Sequence, residues 1–74
     1  MQHIEFRLAG DFIELNKLLK VTGLSGSGGA AKALIAAGAV AVDGRVELRK
    51  TCKIRAGRIV RVGDVRISVL AALS

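Results

Sequence analysis

Apolar side chains fall at every second position between His3 and Leu8, where Ile4, Phe6 and Leu8 share one face, and a period of two predicts a short strand. Gly10 interrupts it. Asp11 then stands as a helix N-cap, with Glu14 three residues on in the reciprocal position of a capping box. Phe12, Leu15, Leu18 and Leu19 follow at helical spacing, and Gly23 is a natural stop, so a first helix is expected over residues 11–22. The glycine- and serine-rich stretch 23–29 is short enough to be a tight connection. Ser27 is the better N-cap for a second helix over 28–37, with Ala31, Leu34 and Ile35 facing inward and Gly38 ending it. From there the period returns to two. Val40 and Val42 lead into Asp43-Gly44, a two-residue hairpin turn, and Val46 and Leu48 lead away from it. Ile54 opens another extended piece, and Val60 and Val62 alternate with arginine. Gly63-Asp64 makes a second turn before Val65, Ile67 and Val69.

Strand, helix, helix and then a run of hairpins predict an α+β fold, with two helices packed on a small, largely antiparallel sheet. The 74 residues make one expected domain, 1–74, which buries about 60% of the surface its unfolded chain exposes. A core of that size leaves little room for the deep pocket that most enzymes need. No charge-free stretch approaches the ~20 residues of a membrane span. Glu5 and Arg7 interrupt the opening residues, so no signal peptide is expected and a soluble cytoplasmic protein is.

Charge changes the picture. Residues 1–44 carry four cations against four acids, and residues 45–74 carry eight against two, so the whole net charge of +6 lies in the last 30 residues. Self-repulsion among those groups costs stability, which makes a polyanionic partner a reasonable inference. The plainer reading is a basic surface kept for solubility.

Motifs for other chemistry fail. Gly26-Ser-Gly-Gly-Ala-Ala31 fits the dinucleotide-binding fingerprint in letters, but a helix precedes it where that fold needs a strand. A Walker loop would need lysine where Gly29 stands. What remains is a helix start with small residues, where backbone N–H groups either receive a phosphate or simply allow a tight corner. His3 has no acid or nucleophile beside it in the sequence. Cys52 lies between Lys50 and Lys53, where cations would lower its pKa, although a small core residue is the favoured reading. No catalytic set and no metal-ligand spacing is present, so no enzyme activity and no cofactor are expected.

From the first helix onward the residues resemble a known family. Leu15-Asn-Lys-Leu-Leu19, Gly23, Ser27, Ala31-Lys32, Leu34-Ile35, Gly38 and Val40-Ala-Val-Asp-Gly44 are similar, in order and spacing, to the S-four RNA-binding domain, also called the alpha-L motif. Glu14-Leu15 and Arg49-Lys-Thr-Cys-Lys-Ile54 bring the chain closer still to the YbcJ family of small stand-alone bacterial proteins. The resemblance runs from about Ile13 to Val69. It implies a non-catalytic RNA-binding module whose two helices and following hairpin form the recognition surface, with Lys17, Ser27 and Lys32 at positions that meet RNA. Three residues depart from the family pattern. Glu14 replaces the usual helix-one arginine, Asn16 an aspartate, and Gly28 the arginine after the serine. Arg45, Arg49, Lys50, Lys53 and Arg55 are expected to supply the missing charge from the strands.

Both aromatic residues, Phe6 and Phe12, fall on predicted apolar faces, which leaves no ring on which to stack bases. Long cations read phosphate positions and backbone shape, so structured RNA, ribosomal or otherwise, is the expected partner. A monomer, with ribonucleoprotein partners and no membrane, completes the expectation. Two alternatives stay open: a module docking its basic face on an acidic protein, and an accessory subunit of an RNA-modifying enzyme.

Overall fold

The computed structural model describes residues 2–73. Within them the chain runs β1 (Gln2–Arg7), β2 (Ile13–Glu14), α1 (Leu15–Val21) and α2 (Gly28–Ala36), then β3 (Val40–Val42), β4 (Arg45–Val46), β5 (Lys53–Ile54), β6 (Ile59–Val62) and β7 (Val65–Leu70). Five strands form one sheet in the order β1-β7-β6-β3-β4, and β2 and β5 form a two-stranded ribbon of their own. Every pair is antiparallel except β1 with β7, which run parallel with Ile4 opposite Ile67. The fold is α+β, with two helices on a mostly antiparallel sheet.

The alternation read from the sequence decides which face is buried. Val40, Val60, Ile67 and Val69 point inward from the sheet and pack with Leu15, Leu18 and Leu19 of α1 and with Ala31 and Ile35 of α2. Ile54 carries the ribbon into the same core. Both glycine stops close as predicted. After α1, the amide of Gly23 (φ +80°) donates to the Lys20 carbonyl and that of Leu24 to the Leu19 carbonyl. After α2, Gly38 (φ +77°) donates to Ile35 and Ala39 to Leu34. Each is a Schellman ending, which needs a residue with no Cβ penalty at positive φ. Ser27 caps α2 as expected, its hydroxyl accepting from the Ala30 amide at 3.2 Å.

The turns follow the same chemistry. Asp43 (φ +52°) and Gly44 (φ +84°) are both left-handed, the type I′ geometry that suits a two-residue hairpin. The Asp43 carboxylate also accepts from the Ile59 amide at 3.0 Å and from Arg58 Nη1 at 2.7 Å, which anchors the turn to β6.

The start of the first helix differs from expectation. α1 begins at Leu15, Glu14 is extended (φ −69°, ψ 142°), and no side chain caps it. Residues 13 and 14 instead pair with Ile54 and Lys53, and the first two helical amides donate to backbone carbonyls, Leu15 to Cys52 at 2.9 Å and Asn16 to Lys50 at 3.0 Å. Backbone carbonyls from across the ribbon thus satisfy two of the helix's leading N–H groups, and Asp11, four residues before the helix, has no capping role. The predicted strand through Leu48 also stops early: β4 ends at Val46, and Glu47–Cys52 is a loop that crosses to the N-terminus of α1.

Candidate nucleic-acid interface

The loop after β4 organises six of the twelve basic residues. Arg45 stands opposite Val42 in the hairpin and so lies on the face that carries the core. A hollow of 460 Å³ beneath it is lined by Arg45, Arg49, Cys52, Lys53 and Arg58 together with Asp43 and Glu47. On the other side of the loop, a 550 Å³ groove is lined by Lys32, Ala33 and Ala36 of α2 and by Leu48, Arg49, Lys50 and Thr51. Arg49 lines both. Lys32, Arg45, Arg49, Lys50 and Lys53, drawn from a helix, a hairpin, a loop and the ribbon, therefore border two adjoining concavities.

The ribbon gathers two more. Ile13 and Ile54 pack against the core, Glu14 stands opposite Lys53, and Phe12 and Arg55 flank the paired residues. Lys17 joins this outer strip through an ion pair to Glu14 at 3.6 Å. Ser27 lies apart, at the start of α2 and outside the linings of both concavities, with its hydroxyl engaged as the cap. Arg49 and Lys50 sit in the loop, where the sequence reading had placed them on strands; the short β4 is the reason.

The cations are not equivalent. Arg49 is held by Glu47 through two parallel bonds, Nε to Oε2 at 3.0 Å and Nη2 to Oε1 at 3.1 Å, and its own amide donates to the same carboxylate. Those bonds depress the Glu47 pKa from 4.5 to about 2. Arg58, which the sequence reading did not single out, is paired with Asp43 at 2.7 Å and holds that carboxyl below its usual value. By contrast Lys32, Arg45, Lys50, Lys53 and Arg55 make no ion pair among the described residues. Cys52 is half-buried against the core, and burial pushes its thiol pKa up, reinforced by the neighbouring Glu47 carboxylate; the opposing pull of Arg49 and Arg58 is smaller. The activating effect that the flanking lysines suggested is thus absent, and the core reading holds.

One correction concerns Phe12. A helix over 11–22 would have set it on the buried stripe, but the chain is not helical there and the residue is 40% exposed. Lys53 Nζ lies 5.0 Å and the Arg55 guanidinium carbon 5.5 Å from the ring centroid. An exposed aromatic does accompany the basic surface.

Two helices joined by a glycine-rich corner, followed by a hairpin and a basic loop, make the arrangement that the resemblance to the alpha-L domain implied. The S4 domain family model matches residues 6–70, and the chain belongs to that family. Its relatives include the protein YbcJ of Escherichia coli (strain K12), 51% identical over 59 residues that cover 80% of this chain and 84% of that one. YbcJ of Shigella flexneri matches with the same identity and coverage. The solution structure of E. coli YbcJ superposes with a TM-score of 0.71 at 47% identity, covering 90% of this chain and 86% of that chain, and is described as revealing an alfaL motif involved in RNA binding.

Proposed function

We propose that this protein is a non-catalytic RNA-binding protein, acting as a single cytoplasmic S4 domain and as a monomer, that recognises folded RNA such as ribosomal RNA. The observation that carries the reading is the convergence of Lys32, Arg45, Arg49, Lys50 and Lys53 on two adjoining concavities. Concave, cationic and shallow surfaces suit the phosphate ridges of an RNA helix, and the carboxylates within this one are already paired with arginines. Lys17, Ser27 and Arg55 extend the surface along α1, α2 and the ribbon. Membership of the S4 family and the RNA-binding motif described for YbcJ support the same partner.

The test is binding to a folded RNA hairpin and to DNA of the same sequence across a salt series. Four cations on the two concavities, Lys32, Arg45, Lys50 and Lys53, carry no ion pair among the described residues. At ~0.7–0.9 per phosphate neutralised, log K should fall with log salt at a slope of roughly −3 to −4. A clear preference for RNA with that slope is the expected result. Equal affinity for both polymers would remove RNA recognition from the proposal, and no binding to either at low salt would sink it.

A further inference from the structure

The strand β2, standing where a helix was expected, is accompanied by a surface feature that a helix there would have buried. Phe12 immediately precedes β2 and Arg55 immediately follows β5, beside the Ile13–Ile54 pair, and Lys53 stands opposite Glu14. The result is a 40%-exposed phenylalanine whose ring has two cations over it, at 5.0 and 5.5 Å. Lys53 also lines the hollow beneath the hairpin, so the ring borders the phosphate-binding surface. Exposed aliphatic residues such as Val21, Val46 and Leu48 offer apolar area but no π-face. A nucleotide joins an aromatic base to a phosphate through one sugar, and this cluster offers the complement of both halves: a π-face for the base and, once the base displaces them from the ring, two cations for the phosphate.

We infer that Phe12, flanked by Lys53 and Arg55, is a stacking site for an unpaired RNA base, such as one bulged from a helix whose phosphates lie on the adjoining basic concavities. This inference rests on the RNA-binding reading above and adds a ligand class to it. A base within a duplex cannot reach the ring, whereas an extruded base stacks on it. The protein would therefore favour helices interrupted by a bulge over continuous ones. Stacking is insensitive to salt where phosphate contacts are not, so its contribution is a constant offset in log K and leaves the slope alone.

The experiment compares the wild-type protein with F12A, F12L and F12W on two RNA hairpins, one fully paired and one with a single bulged adenosine. F12L keeps an apolar cover over the ribbon and loses the π-face; F12W keeps both. The expected result is that F12A and F12L bind the bulged hairpin about 5- to 100-fold more weakly, by the same factor at every salt concentration. Their affinity for the paired hairpin should stay within about twofold. F12W should retain the preference. Because the natural sequence has no tryptophan or tyrosine, its indole fluorescence should be quenched by the bulged hairpin alone. Unchanged binding of both hairpins by F12A and F12L would overturn the inference and leave the RNA-binding reading standing. So would an equal loss on both with a shallower salt slope, since that would make the ring a prop for Lys53 and Arg55. If the wild-type protein bound neither hairpin at low salt, the parent reading would fall and the stacking site with it.

Discussion

At the level of single residues, the charge of a side chain and its availability are separate matters. Arg49 lines both concavities, yet its guanidinium is committed to Glu47 by two parallel bonds. Sequence alone showed Arg49 as one cation among several, because Glu47 two positions earlier carries no mark of the fork it forms in space. Replacing Glu47 with Gln should release Arg49 to a phosphate and steepen the salt slope of RNA binding by about 0.7–0.9. A slope that does not change would remove Arg49 from the surface. The same variant should alter the acid limb of stability. The Glu47 pKa is depressed in the folded state, to about 2 from 4.5, so its contribution is fully present above 4.5 and is lost as pH falls towards 2. E47Q should be less stable at neutral pH and should lose less stability between pH 4.5 and 2, as urea titrations at several pH values would read. Phe12 tells a related story. Its aromatic character was visible in the sequence, but its exposure depends on whether residues 11–14 coil or extend, and that is decided elsewhere.

That decision belongs to the elements. Signals whose partners lie a few residues away were legible: the hairpin at Asp43-Gly44, the glycine stops at Gly23 and Gly38, and Ser27 as the cap of α2. The start of α1 was not, because its first amides are satisfied by Lys50 and Cys52, residues far along the chain. A capping box needs residues 12–14 helical, whereas pairing with β5 needs Ile13 and Glu14 extended. The pairing also buries Ile13 and Ile54 against the core, a gain that the capping box does not offer. The two cap positions expected from the sequence should therefore respond differently to alanine. Ser27→Ala should lower the free energy of unfolding by about 1 kcal/mol, since it removes a cap that is in use. Asp11→Ala should stay within about 0.5 kcal/mol, as an exposed residue with no cap to lose does. Chemical denaturation of both variants checks the pair, and an equal cost at the two positions would contradict the observed helix start.

For the molecule as a whole, the concentration of charge in residues 45–74 suggested a polyanion-binding half, but it could not say which side of the sheet each cation faces. Register settles that. Arg45 lies on the core face beside the helices, whereas Arg61 sits on the opposite face, flanked by Ala41 on β3 and facing Arg66 on β7, with His3 next in the row. The parallel pairing of β1 with β7, which no local pattern announced, completes that outer row. Two arginines in direct cross-strand register repel each other, and neither makes an ion pair among the described residues. Arg61→Glu converts this repulsion into an attraction and should raise the free energy of unfolding by roughly 0.5–1 kcal/mol. The same change takes two units of positive charge off the molecule. If the basic concavities beside α2 and the loop are where phosphates bind, no contact is lost and the salt slope of RNA binding stays the same. Affinity falls only by the screened long-range term, which is small beyond a Debye length of about 8 Å at physiological salt. A slope shallower by about one unit would instead show that the outer face of the sheet holds a phosphate. A single substitution thus separates the cations that serve the interface from those that the rest of the fold merely tolerates.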